Sequence, residues 1–154
     1  MLSKFNRKFS CKIEELTLFV DDKKVNLNEF VFNYDEHYTA SEFGLLLLCK
    51  LRVVAKWKEG GKRKNKDFII EEGFEWDGAS IPDLFQNIIG KPKDPAFALA
   101  SCIHDKLVNM GLSHYIESRI FYEILKTRSG KFDIPWYKEK AMYVAVYAWS
   151  IWTA

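Results

Sequence analysis

In FEWDGASIP, residues 74–82, an acid and a hydroxyl, Asp77 and Ser80, stand among residues that each have a backbone reason to be there. Gly78 permits positive φ or close approach, Ala79 is small, and Pro82 fixes its own φ and keeps Ile81 extended. Such a loop can carry a carboxylate and a hydroxyl out of a strand. Further along, AFALASCIHDKLVNMG places His104 and Asp105 side by side. An imidazole titrates near neutral pH and, oriented by a carboxylate, can shuttle a proton. The same donors suit zinc or manganese, although no divalent metal is firmly indicated. Asp77, Ser80, His104 and Asp105 form the candidate catalytic set.

Helical spacing puts His104 on one face with Phe97, Ala100, Ser101, Leu107 and Val108, so the imidazole is expected inside the apolar side, with Asp105 nearer the helix edge. A buried imidazole needs partners, and Asp77 or Ser80 could supply them. A polar network that only pins loop to helix would use the same residues, and composition alone favours that plainer reading. Two sharper arrangements are weaker. A Ser80–His104–Asp77 triad lacks a G-x-S-x-G elbow, and an HD-type phosphohydrolase would need further metal ligands on several helices. His37 and His114 have no motif tying them to the cluster.

The elements that must position these residues are legible around them. In LLLLCKLRVVAKW, residues 45–57, every odd position is apolar, which predicts a half-buried strand. EGGKRKNKD then reads as a charged turn and DFIIEEGFEW as the return, giving a long hairpin over 45–76. KIEELTLFV (12–20) and VNLNEFVFNY (25–34) read as two further strands about a DDKK turn. Asp94 as N-cap, Pro95 at the first helical position and Gly111 as stop predict a helix over 95–110. A second is expected from Ser113 to about Arg128, ended by Ser129-Gly130, and a third from Pro135 toward the C-terminus. Strands first and helices after give an α+β fold, an antiparallel sheet covered on one face by about three C-terminal helices.

The succession GFEWDGASIP, a helix with IHD, then SHYIESRIFYEIL resembles domain-of-unknown-function family 1353 of bacteriophages and bacterial prophages. The likeness covers about residues 68–147. It marks Asp77, Gly78, Ser80, Pro82, His104 and Asp105 as the shared constellation and implies no established activity. Two positions depart from the family pattern: His114 stands where Arg is common and Ser118 where an Asp is usual, and Glu117 is expected to point elsewhere on the helix. An activity that needed that acid would be compromised here.

With 154 residues, 48% of them hydrophobic, the chain can bury a sizeable core and reads as a single domain: strand-rich 10–76, motif loop 77–93, helical 94–153. A net charge of +2 is too mild to imply nucleic-acid binding. Residues 50–66 hold eight Lys or Arg, but residues 14–42 hold eight Asp or Glu, so cross-strand charge pairing is the simpler account. Cys11, Cys49 and Cys102 suit buried thiols in a reducing compartment. The N-terminus lacks a secretory pattern, and the longest apolar run, 141–152, falls short of the roughly 20 residues that span a bilayer. The expectation is a soluble protein of the host bacterial cytoplasm or the virion. Its function would be that of a phage or prophage accessory protein with a hydrolase-like polar site, or of a non-catalytic structural or interaction protein. The partner is unknown, a phage or host protein; the aromatic last helix is expected either at the centre of the core or as a patch for self-association.

Overall fold

The computed structural model describes residues 11–77, 95–132 and 135–152. Among the described residues seven strands precede the helices: β1 (Cys11–Val20), β2 (Lys23–Val25), β3 (Tyr38–Ala40), β4 (Leu45–Leu47), β5 (Leu51–Glu59), β6 (Lys62–Ile70) and β7 (Glu75–Trp76). A 3-10 turn, Pro95–Phe97, leads into α1 (Ala98–Asn109), followed by α2 (His114–Phe132) and α3 (Trp136–Trp152). The fold is α+β. One antiparallel sheet has the order β2-β1-β5-β6, the other β3-β4-β7.

The long hairpin forms with a bend in it. Leu48–Lys50 leave regular strand geometry opposite residues 71–74, where Gly73 has φ 95°, yet Leu47 N–H still donates to Phe74 O and Gly73 N–H to Leu47 O. Leu45 faces Trp76 beyond the bend and Leu51 faces Ile70 before it, so one register runs throughout. The period-2 pattern survives too: Leu45, Leu47, Cys49, Leu51, Val53, Ala55 and Trp57 are all buried. At the tip Gly60 and Gly61 take φ 58° and 82°, the two positive values of a type I′ turn.

Asp21 and Asp22 form a second such turn with φ 46° and 70°, so DDKK is half turn and half strand. The strand expected over 25–34 is confined to Lys23–Val25. Its continuation coils instead, because Asn26 engages its own neighbours: its Oδ1 accepts from the Asn28 N–H at 3.0 Å and its carbonyl from Phe30 N–H at 2.7 Å. Charge pairing on the solvent face is as expected: Lys56 meets Glu15 at 3.4 Å, Arg63 meets Glu14 at 3.8 Å, and Arg52 makes two hydrogen bonds to Asp67.

Leu18, Val53 and Phe68 from β1, β5 and β6 belong to the same buried core as Ile120, Phe121 and Ile124 of α2, which packs on β1. α2 packs against β1, α1 and α3, and so has more than one buried face. It runs through Ser129-Gly130 to Phe132, past the expected stop. α1 starts at Ala98 behind the 3-10 turn, three residues later than the sequence suggests, and ends as expected before Gly111, with φ 74°. Asp94 lies outside the described residues. α3 packs on α2, with Met142 buried, the tyrosine pairs 115/147 and 122/143 in ring contact, and Trp136, Tyr137 and Val144 exposed. No helix among the described residues is long and apolar enough to cross a membrane.

Candidate functional site

The junction between hairpin and helix is set by one buried bond. Trp76 Nε1–H donates to Ser101 Oγ at 3.0 Å, and that hydroxyl donates to Ala98 O at 3.1 Å. The next residue along the strand, Asp77, therefore lies beside the next turn of α1, which carries Asp105. A second clamp closes from the other side. An added Cβ on Gly44 would lie 2.3 Å from Trp76 O and 2.9 Å from Asp77 Cα, so only glycine allows the turn after β3 to approach so closely. Ser41 Oγ, in that turn, donates to Glu75 Oε2 at 3.2 Å.

Asp77 is exposed and Asp105 half-buried. Burial holds the Asp105 carboxyl above the ordinary aspartate range; the His104 imidazole opposes that rise and the negative charge of Asp77 adds to it. Both acids line an open depression of about 290 Å³ with Phe43, Glu75 and Trp76. His104 is 4% exposed, as its helical position predicts. Its Nδ1 stands 3.9 Å from Asp105 Oδ1, beyond hydrogen-bond distance, and its ring meets Phe121 edge-on at 5.6 Å. Buried Nε2 has no hydrogen-bond partner among the described residues.

Three of the four sequence candidates thus come together, in an order that differs from expectation. Asp77 shares its depression with Asp105, and the neighbour of His104 is also Asp105, whose position at the helix edge makes it the shared member. Ser80, with Gly78 and Pro82, lies outside the described residues. Val108, expected on the His104 face, is 41% exposed. Ser118 is fully buried with its hydroxyl unpaired among the described residues, and Glu117 is buried as well, because α2 is covered on more than one side. Among the described residues no group of three or more His, Cys, Asp or Glu converges to hold a metal ion. Glu75 and Phe43 were missed; the alternation that aims Trp76 inward also aims Glu75 outward, but nothing in the sequence ties Phe43 to the rim. Arg128 was also missed. It is 1% exposed, reads as an ordinary helix-end cation, and instead donates to the carbonyls of Leu27 and Phe30.

A family model described as "Protein of unknown function (DUF1353)" matches residues 51–146. The chain is similar to an uncharacterized protein, y4jT, of Sinorhizobium fredii (strain NBRC 101917 / NGR234), 37% identical over 78 residues that make up 50% of this chain and 22% of that protein. The chain therefore spans under a quarter of the relative's length. No solved structure matches.

Proposed function

Starting from the chain's membership of the DUF1353 family, we propose that it is a phage- or prophage-type accessory protein carrying a hydrolase-like acid–base site built on Asp77 and Asp105. The observation that carries this reading is the pair itself. Two carboxyls line one open depression, one half-buried and one facing water. Burial and the nearby Asp77 charge both favour the protonated form of Asp105, so Asp105 is the member that holds a proton to give. In hydrolysis, ionised Asp77 would take a proton from water as its oxygen bonds to the electrophilic centre. Protonated Asp105 would pass its proton to the departing group, and solvent exchange through exposed Asp77 would reset the pair. His104, against Asp105, would position that carboxyl. Ser80, in the same loop, is retained as a candidate in this proposal.

The test is a panel of fluorogenic glycosides, esters and peptides with the wild type, Asp77→Asn, Asp105→Asn and Ser80→Ala. Loss of turnover by about a hundredfold or more in both Asp variants, with folding intact, is expected for acid–base residues. Turnover unchanged in both would refute the reading. The alternative, a non-catalytic interaction protein, is favoured by one observation: the buried Trp76–Ser101 bond already fixes loop to helix without chemistry. It predicts that Asp105→Asn weakens the fold.

A further inference from the structure

Phe43 is 78% exposed, the most exposed of the large hydrophobic residues described. Isolated exposed apolar residues are common and need no explanation. This one is held differently. Its turn is closed by Ser41 N–H to Gly44 O at 2.9 Å, tied to Glu75 through the Ser41 hydroxyl, and pressed onto the Trp76 carbonyl through Gly44. Leu45, two residues on, is already paired with Trp76. The backbone that carries the phenyl ring is thus held at the rim of the depression.

We infer that Phe43 is a ligand-contact residue of this site and that its ligand is a sugar ring without negative charge. The inference rests on the acid–base reading above for the location of the chemistry. Its own support is the pairing of an exposed aromatic ring on a backbone-held turn with hydrogen-bond acceptors across one small depression. A phenyl face takes the C–H face of a pyranose, while carboxylates accept from its hydroxyls. About 290 Å³ accommodates one such ring. Glu75, Asp77 and Asp105 put three carboxyls around the depression, so a phosphate or carboxylate group would be repelled and a sugar amine welcomed. Nucleotides are thereby set aside.

The experiment is a titration of the full chain with glucosamine tetrasaccharide, N-acetylglucosamine tetrasaccharide and AMP, followed by amide NMR shifts and calorimetry. We expect saturable binding of a sugar with shifts at residues 41–44, 75–77 and 105, at least tenfold weaker in Phe43→Ala, restored in Phe43→Trp, and absent for AMP. Failure of both sugars to saturate overturns the inference, as does AMP binding at the same residues or sugar affinity unchanged in Phe43→Ala. Sugar binding without turnover would sink the acid–base reading and leave this one standing. Turnover of a panel substrate that is indifferent to Phe43→Ala would do the reverse.

Discussion

Asp105 is where chemistry and stability pull in opposite directions. Its folded pKa lies above its unfolded value, so its stabilising contribution is fully present below the ordinary aspartate range and is lost as pH rises through the raised value. Asp105→Asn should therefore match the wild type at about pH 3 and exceed it by about 1 kcal/mol at neutral pH, read from urea midpoints at both. A variant weaker than wild type at neutral pH would mark the pair as a structural network. Arg128 carries the opposite expectation. Its guanidinium is buried, burial lowers its pKa, and it holds the Leu27–Phe30 turn by two carbonyls. Arg128→Ala should cost about 3 kcal/mol by the same measurement, since it strands those carbonyls and leaves a hole. Arg128→Lys should recover little, having no fork. The sequence showed His104 facing inward because periodicity sets direction. It could not show that Asp77 and Asp105 line one depression, which depends on the strand end that meets a given helical turn.

At the scale of elements, two glycines separate local from long-range demands. Gly61, with φ 82° and nothing within 4 Å of an added Cβ, serves only the turn. Gly61→Ala should cost about 1 kcal/mol from backbone strain alone. Gly44 serves packing against β7, so Gly44→Ala should cost about 2 kcal/mol or more and move the Asp77 amide resonance, which Gly61→Ala should leave in place. The 45–57 strand was legible because its alternation is imposed by a core that continues past the bend. The 25–34 segment misled because its Val, Leu, Phe and Tyr suit a strand while Asn26 draws the hydrogen bonds a ladder would need. α2 was extended by packing on three neighbours, which overrides the weak stop of Ser129-Gly130.

For the molecule as a whole, the basic stretch of the hairpin is largely answered by acids of the same sheet and its turns, from Lys50–Asp22 at one end to Lys64–Glu59 at the other. Exposed pairs of this kind contribute little each, so raising salt to about 0.5 M should shift the unfolding midpoint by less than about 1 kcal/mol. A labelled oligonucleotide should show no saturable anisotropy change at physiological salt.

The unbroken register from Gly60–Gly61 to Trp76 also constrains how this protein can vary over descent. A single residue gained or lost in one arm would slide Trp76 off Leu45 and swing Asp77 away from α1, unless a bulge absorbed it. Matched additions in both arms, two residues at a time, would leave the inward set inward. Lineages that keep the carboxyl pair should therefore differ in hairpin length by even, paired steps, and place unmatched insertions at the glycine tip or at the bend.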